Sequence, residues 1–373
     1  MQISRRPALL GIAVWLCVAS HPGNAAALAD RLQREAPTQP TPTRQPLTSV
    51  QQHNGTLVMV GANGLILLSD ANGTTQQAQV PVDLLLTSVY FVDARNGWAV
   101  GHDGVILNSS DAGATWTTQS DGAAIGKLMK LSAEQRIARL QAETPSDDVN
   151  RALDNANFML DDVNAGLQSG PSRPLLDIWF RNADEGWAVG AYGTVLHTVD
   201  GGKQWQFMEG LDDPERLHLN AIVGLADGTL LIAGEGGRIY RSIDGGNRWT
   251  ALPATTPASL YKLIALRDGQ VFALGFGGTL LSSKDQGQHW QLIPLPTHAN
   301  LYGGAQLPDG DLALVGQAGT VLLSQDSRNF RRWQGRGRAA LLGIAMLSDG
   351  QIALIGSAGL SRIALSEIEA NLQ

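Results

Sequence analysis

Cysteine is almost absent from this 373-residue chain: the single one, Cys17, lies in an apolar N-terminal stretch. A disulfide framework is therefore excluded, and stability must come from packing. Basic residues are outnumbered, 27 Lys and Arg against 34 Asp and Glu, for a net charge of −7. That balance disfavours a polyanion-binding surface, so no nucleic-acid partner is expected. There is no G-x-S-x-G elbow and no phosphate-binding loop. The seven histidines show no paired spacing for a metal. Neither metal nor cofactor is expected. No apolar run is long enough for a confident membrane span. Charged residues make up only 16% and hydrophobic ones 43%, which excludes a disordered chain.

What is abundant is glycine, 43 residues without a collagen period. Before the glycine-rich part come two segments of different character. Residues 1–26 read as a signal peptide: Arg5 and Arg6, then the mostly apolar Pro7–Ser20, then small residues at Asn24–Ala27. A periplasmic or secreted location follows. Ala8 stands where a twin-arginine signal carries phenylalanine, so the general secretory route is expected. Leu16 before Cys17 is too large for a lipoprotein signal, so no lipid anchor is expected. Residues 27–46, rich in Pro, Thr and Gln, read as an extended leader that could supply a closing strand.

From residue 47 the chain repeats itself. Trp98-Ala99-Val100-Gly101-His102-Asp103-Gly104 returns as Trp187-Ala188-Val189-Gly190-Ala191-Tyr192-Gly193. Further copies end at Gly64, Gly237, Gly278, Gly319 and Gly359. Each unit of about 40 residues holds four short β-rich runs, the middle pair joined by a Gly-x-x-Gly turn, which suits a four-stranded propeller sheet. One such unit cannot bury both faces, so neighbours must stack, and a ring leaves no exposed end. The fold class expected is all-β, a seven-bladed β-propeller over residues 47–373.

A second signature follows the third run of four units. Ser109-x-Asp111-x-Gly113-x-x-Trp116 recurs around Asp200 and Trp205, Asp244 and Trp249, and Asp285 and Trp290. These are Asp boxes. Their aspartates suit capture of the turn's own N–H groups and their tryptophans suit packing beneath, so their role is read as structural. The box is degenerate in the first and sixth units and missing from the seventh.

One interval between repeats is about double the others, and residues 122–170 occupy it. Here the period shifts from two to about 3.6. Ser132-Ala133-Glu134-Gln135 reads as a capping box and Asp147-Asp148 as the start of a second helix carrying Val149, Leu153, Ala156, Leu160, Val163 and Leu167 in a stripe. A helical hairpin inserted between the second and third blades is expected. Propeller topology puts it on the face that bears His102, Asp103, Tyr192, Glu235 and Phe276, with the Asp boxes opposite. These five residues, together with Arg238 and the arginines Arg331, Arg332, Arg336 and Arg338, are the partner-binding candidates. The last four are assigned to that same face, between the sixth and seventh blades, as an anion site.

Asp boxes also decorate sialidases, but the Phe-Arg-Ile-Pro signature is missing and no catalytic constellation is evident. The sequence is read as non-enzymatic, with a sialidase-like glycoside hydrolase or a carbohydrate-binding propeller as the alternatives. The frame Gly186-Trp187-Ala188-Val189-Gly190 followed by Asp200-Gly201-Gly202-x-x-Trp205 resembles the photosystem II stability/assembly factor family, in its non-photosynthetic branch. The resemblance covers about residues 47–365 apart from the insertion. It implies an exported scaffold that binds a membrane-protein complex or assembly intermediate, in some relatives associated with transporters.

Overall fold

The computed structural model describes residues 31–373 apart from Ala71, Pro171, Ser172, Asp212, Asp213, Pro214, Arg336 and Ser348. Residues 1–26, read above as a signal peptide and including Cys17, and Arg336 lie outside the described residues. The chain forms seven antiparallel sheets in sequence order, at residues 47–77, 86–120, 175–207, 219–251, 260–292, 301–334 and 341–364. The first six have four strands each and the seventh has three. Every sheet is a meander, each strand hydrogen-bonded to the next in sequence.

Burial explains the strand chemistry. The second strand of each sheet has neighbours on both edges and a sheet on either face, so Gly97–Gly101, Gly186–Gly190 and Val271–Gly275 are buried at every position. Outer strands shrink to between two and four residues. The glycine closing each second strand is dictated by space. A Cβ on Gly101 would lie 2.3 Å from the Leu85 carbonyl oxygen of its own sheet.

Apolar side chains fill the seams between consecutive sheets. Trp116 packs between sheets one and two, Trp205 between two and three, Trp249 between three and four, and Trp290 between four and five. In each box the hydroxyl at the strand end donates to the aspartate, as from Ser109 Oγ to Asp111 Oδ1 at 2.8 Å. The same hydroxyl accepts the Gly113 N–H at 2.9 Å. Trp116 Nε1 then donates to the Gly113 carbonyl at 2.9 Å. The first sheet packs against the last through Leu57, Met59, Ala345 and Ile355.

Two helices follow sheet two: α1 (Gly122–Gln141) and α2 (Asp147–Ser169), packed on each other. Helix α1 begins ten residues before the capping box expected at Ser132. Asp121 is its cap, accepting the Ala124 N–H at 2.8 Å, while Ser132 is buried inside the helix and donates to Glu209. Helix α2 is capped by Ser146, with Asp147 and Asp148 in its first turn.

The described part of the leader, residues 31–46, does not add a strand to sheet seven. Residues 31–39 run beside sheet one, where Asp83 N donates to the Arg31 carbonyl (3.0 Å) and Ala36 N to the Val80 carbonyl (2.9 Å). The last residues form a short helix, α3 (Leu365–Ala370), and end on sheet six, where Gln373 and Arg332 exchange backbone hydrogen bonds of 2.8 and 2.9 Å. Ile368 of α3, fully buried, fills the seam between sheets six and seven. It stands in for the Asp-box tryptophan that the seventh unit lacks.

Candidate partner-binding face

The hairpins between second and third strands define one face. In six sheets the hairpin is a tight turn whose middle residue has left-handed backbone: Asn63, Asp103, Tyr192, Gly236, Gly277 and Ala318, with φ between 55° and 64°. The seventh differs. Gly356 pairs directly with Gly359 around a two-residue turn, although the Gly-x-x-Gly spacing is the same.

Helix α1 seats on the turn of sheet two. Its first residue, Gly122, lies so close to Gly104 that a Cβ on Gly104 would come within 2.8 Å of it. Asp103 is thereby only 7% exposed, and burial pushes its carboxyl above the usual range. It is not available to a partner as expected; His102 beside it remains exposed.

Helix α2 sits by the turn of sheet three and is tied down by charge. Asp162 pairs with Arg173 and with Arg216 Nη1, the latter at 2.6 Å. The Arg173 guanidinium lies 5.2 Å from the Tyr192 ring and that of Arg216 lies 5.9 Å from the Phe158 ring. Tyr192 also contacts His218, with ring centroids 5.0 Å apart. His218 in turn gives its backbone N–H to Glu235 Oε2 at 2.8 Å, and its Nδ1 lies at the same distance. Burial works against ionisation of Glu235, but the His218 contacts outweigh it and pull the carboxyl below its usual range. A carboxylate held ionised in this way is a poor proton donor near neutral pH, which argues against a glycosidase acid at this position. Arg238 pairs with Glu215 at 3.3 Å.

Two further features mark this region. Among the described residues Arg173 Nη1 and Arg216 Nη2 are buried N–H groups without an acceptor, and two guanidinium groups face one carboxylate. Unused donors with a net positive charge suit a carboxylate. Beside them a groove of about 330 Å³ opens between the helices and the loop after sheet three, lined by Arg136, Phe158, Met159, Met208, Leu211 and Arg216. Phe158 is 64% exposed there.

The expected residues thus divide. Tyr192 and Glu235 meet through His218, while Arg238 pairs separately with Glu215. Phe276, 55% exposed, sits on the turn of sheet five. Arg331 and Arg332 belong to the outer strand of sheet six (Arg331–Gln334), not to a loop on the turn-bearing face, because the sheet continues through them. Arg338 is exposed in the loop that follows. Among the described residues no group of His, Cys, Asp and Glu is arranged to hold a metal.

Residues missed by sequence reasoning are Phe158, Asp162, Arg173, Arg216 and His218. A faint signal existed: Arg173 directly precedes the Pro174 that opens sheet three, just after the insertion.

Residues of the first strand of each sheet line a central channel of about 440 Å³. In its wall Asp177, 3% exposed, accepts from Ser88 Oγ (2.6 Å), the Ile222 N–H (3.2 Å) and Lys262 Nζ (3.1 Å), so one carboxylate joins four consecutive sheets.

Residues 164–258 match the family model described as photosynthesis system II assembly factor YCF48. No curated protein sequence matches the chain. Among solved structures, YCF48 bound to D1 peptide is similar at 19% identity and a TM-score of 0.59, over 87% of this chain and 94% of that one. YCF48 from Cyanidioschyzon merolae is similar at 15% identity and a TM-score of 0.60, over 89% and 99%. A streptogramin B lyase shares the architecture at 13% identity and a TM-score of 0.63, over 88% and 96%. The chain therefore resembles the photosystem II assembly factor family, whose repeat it carries in residues 164–258 of an all-β, propeller-like fold.

Proposed function

We propose that this protein is a non-enzymatic periplasmic scaffold, exported by residues 1–26, that holds an acidic segment of a membrane-protein complex during assembly. In this reading the seven sheets are the blades of one ring and residues 122–170 are an insertion serving as the docking arm. The single observation that carries the proposal is the pair of under-satisfied guanidinium groups, Arg173 and Arg216, beside the groove under Phe158. The assembly-factor resemblance supports it, since a solved relative is named for its bound D1 peptide. The partner of this chain belongs to the same chemical class, an extended protein segment, and a transporter component is a specific candidate.

The test is recovery of partners from detergent-solubilised membranes of the source organism. The bait is full-length mature protein, an Arg173→Gln/Arg216→Gln variant, or a chain with residues 126–170 replaced by a short linker. Both variants are expected to keep their sheet circular dichroism and lose the partner. Equal recovery by all three sinks the docking-arm reading. A parallel screen with fluorogenic glycosides addresses the enzymatic alternative: turnover abolished by Glu235→Gln would replace this proposal.

A further inference from the structure

Among the described residues sheet seven is one strand short, and the gap has a definite shape. Aligned on strand pairing, its third strand (Gly359–Ala364) places Leu360 where the other sheets have Ile66, Val195, Ile239 and Leu280. Those four residues each offer a carbonyl to the N–H of a following segment, from Ala78, Met208, Leu252 and Ile293 respectively, at 2.8–2.9 Å. The Leu360 carbonyl has no such partner among the described residues. Strand parity turns the N–H and C=O of Arg362 the same way, because alternate residues of a strand face opposite edges.

The next position is also altered. Leu67, Leu107, Leu196, Tyr240, Leu281 and Leu322 face the preceding sheet, and Ser361 stands in their place. The missing side chain helps leave a cavity of about 390 Å³ between sheets six and seven, lined by Trp333, Leu341, Leu354, Ser361 and Ile363. Arg331 and Arg338 are exposed, Arg331 on the same outer strand as the lining Trp333 and Arg338 between the lining Gly337 and Ala339. The one carboxylate on the lining is Glu367.

We propose that this edge is a strand-addition site for an extended partner segment that alternates apolar and acidic residues. An exposed edge is a template for pairing, and β-augmentation takes affinity from the main chain and specificity from alternate side chains. Here the main-chain partners are Leu360 and Arg362, the apolar pocket lies beside Ser361, and Arg331 and Arg338 meet the acidic side chains. The six complete sheets show that an extended strand fits this position. The site is separate from the groove at Phe158, and its test does not depend on that reading.

The probe is a fluorescein-labelled peptide of about a dozen residues alternating valine with glutamate, its anisotropy followed on titration with mature protein. A second peptide carries lysine for glutamate. Ser361→Leu restores the leucine of the other sheets and so fills the pocket without threatening the fold. It is expected to weaken the acidic peptide on the order of tenfold, as is Arg331→Glu/Arg338→Glu. The lysine peptide is expected not to bind. Amide exchange at Leu360 and Arg362 is expected to slow on binding. Unchanged affinity in Ser361→Leu, or equal binding of the lysine peptide, overturns the proposal. Loss of binding in Arg173→Gln/Arg216→Gln would move the peptide to the groove and also overturn it. If the free protein sediments as a dimer and Ser361→Leu as a monomer, the occupant is a second copy, and a partner segment is refuted.

Discussion

Replacing Asp177 by alanine should be among the most damaging single changes away from the seams. The carboxylate is 3% exposed and accepts from Ser88, the Ile222 N–H and Lys262, each on a different sheet. Deleting one partner of a buried ion pair generally costs about 3–5 kcal/mol, because the remaining groups lose their compensation. Lys262 is about a third exposed to the channel, so water can solvate its ammonium and the cost falls to the lower end, about 3 kcal/mol. With a urea m-value of about 3 kcal/mol/M, the midpoint should drop by about 1 M. Tryptophan fluorescence during urea unfolding reads this directly. Lys262→Met alone should cost less, and the double variant should be less destabilised than the two singles together, since Asp177→Ala already removes the contact. A midpoint shift below about 0.3 M for Asp177→Ala, or strict additivity with Lys262→Met, would show that the channel carboxylate is solvated rather than structural.

Other outcomes can be checked alongside. Arg362 Nη2 donates to Ser69 Oγ (2.7 Å) and to the Gly73 carbonyl (3.2 Å), joining the last sheet to the first; Arg362→Ala should cost about 2 kcal/mol by the same denaturation assay. Gly104→Ala puts a Cβ 2.8 Å from Gly122 at a φ of +67°. Limited proteolysis should then cut within residues 122–170 faster while the sheets stay resistant. Although burial pushes the Asp285 carboxyl up, its bonds to His289 and Ser283 pull it down to about 2. A carboxyl lowered on folding stabilises the native state above its unfolded value and loses that effect as pH falls. Acid titration should therefore show Asp285→Asn converging on wild-type stability between about pH 4 and pH 2.

The repeat was legible because it is local. Strand, turn and box lie within some 40 residues, and glycine at the turn and tryptophan beneath the box have short-range physical reasons. The helical pair was legible as a change of period, although its start was misplaced because Ser132 mimics a cap while facing Glu209 across the molecule. The cluster around Asp162 and His218 was not legible. Asp162, Arg173, Arg216, His218 and Glu235 come from four separate segments, each ordinary alone. The seventh unit misled most: Gly356-x-x-Gly359 copies the spacing of Gly61-x-x-Gly64, but its tighter turn advances the strand register by one residue. That single step puts Ser361, not Arg362, against sheet six and frees Arg362 to reach sheet one.

Among the described residues the joint between the first and last sheets contains no exchanged strand. It is held by apolar side chains, by Arg362 and by the stretch at Thr43 that covers Gly359. Chain continuity is therefore not what orders the sheets. A circular permutant that links Gln373 to residue 31 and opens the chain in the loop between sheets four and five would break no sheet. It should reach the same arrangement, with its ends moved to the opposite side of the molecule.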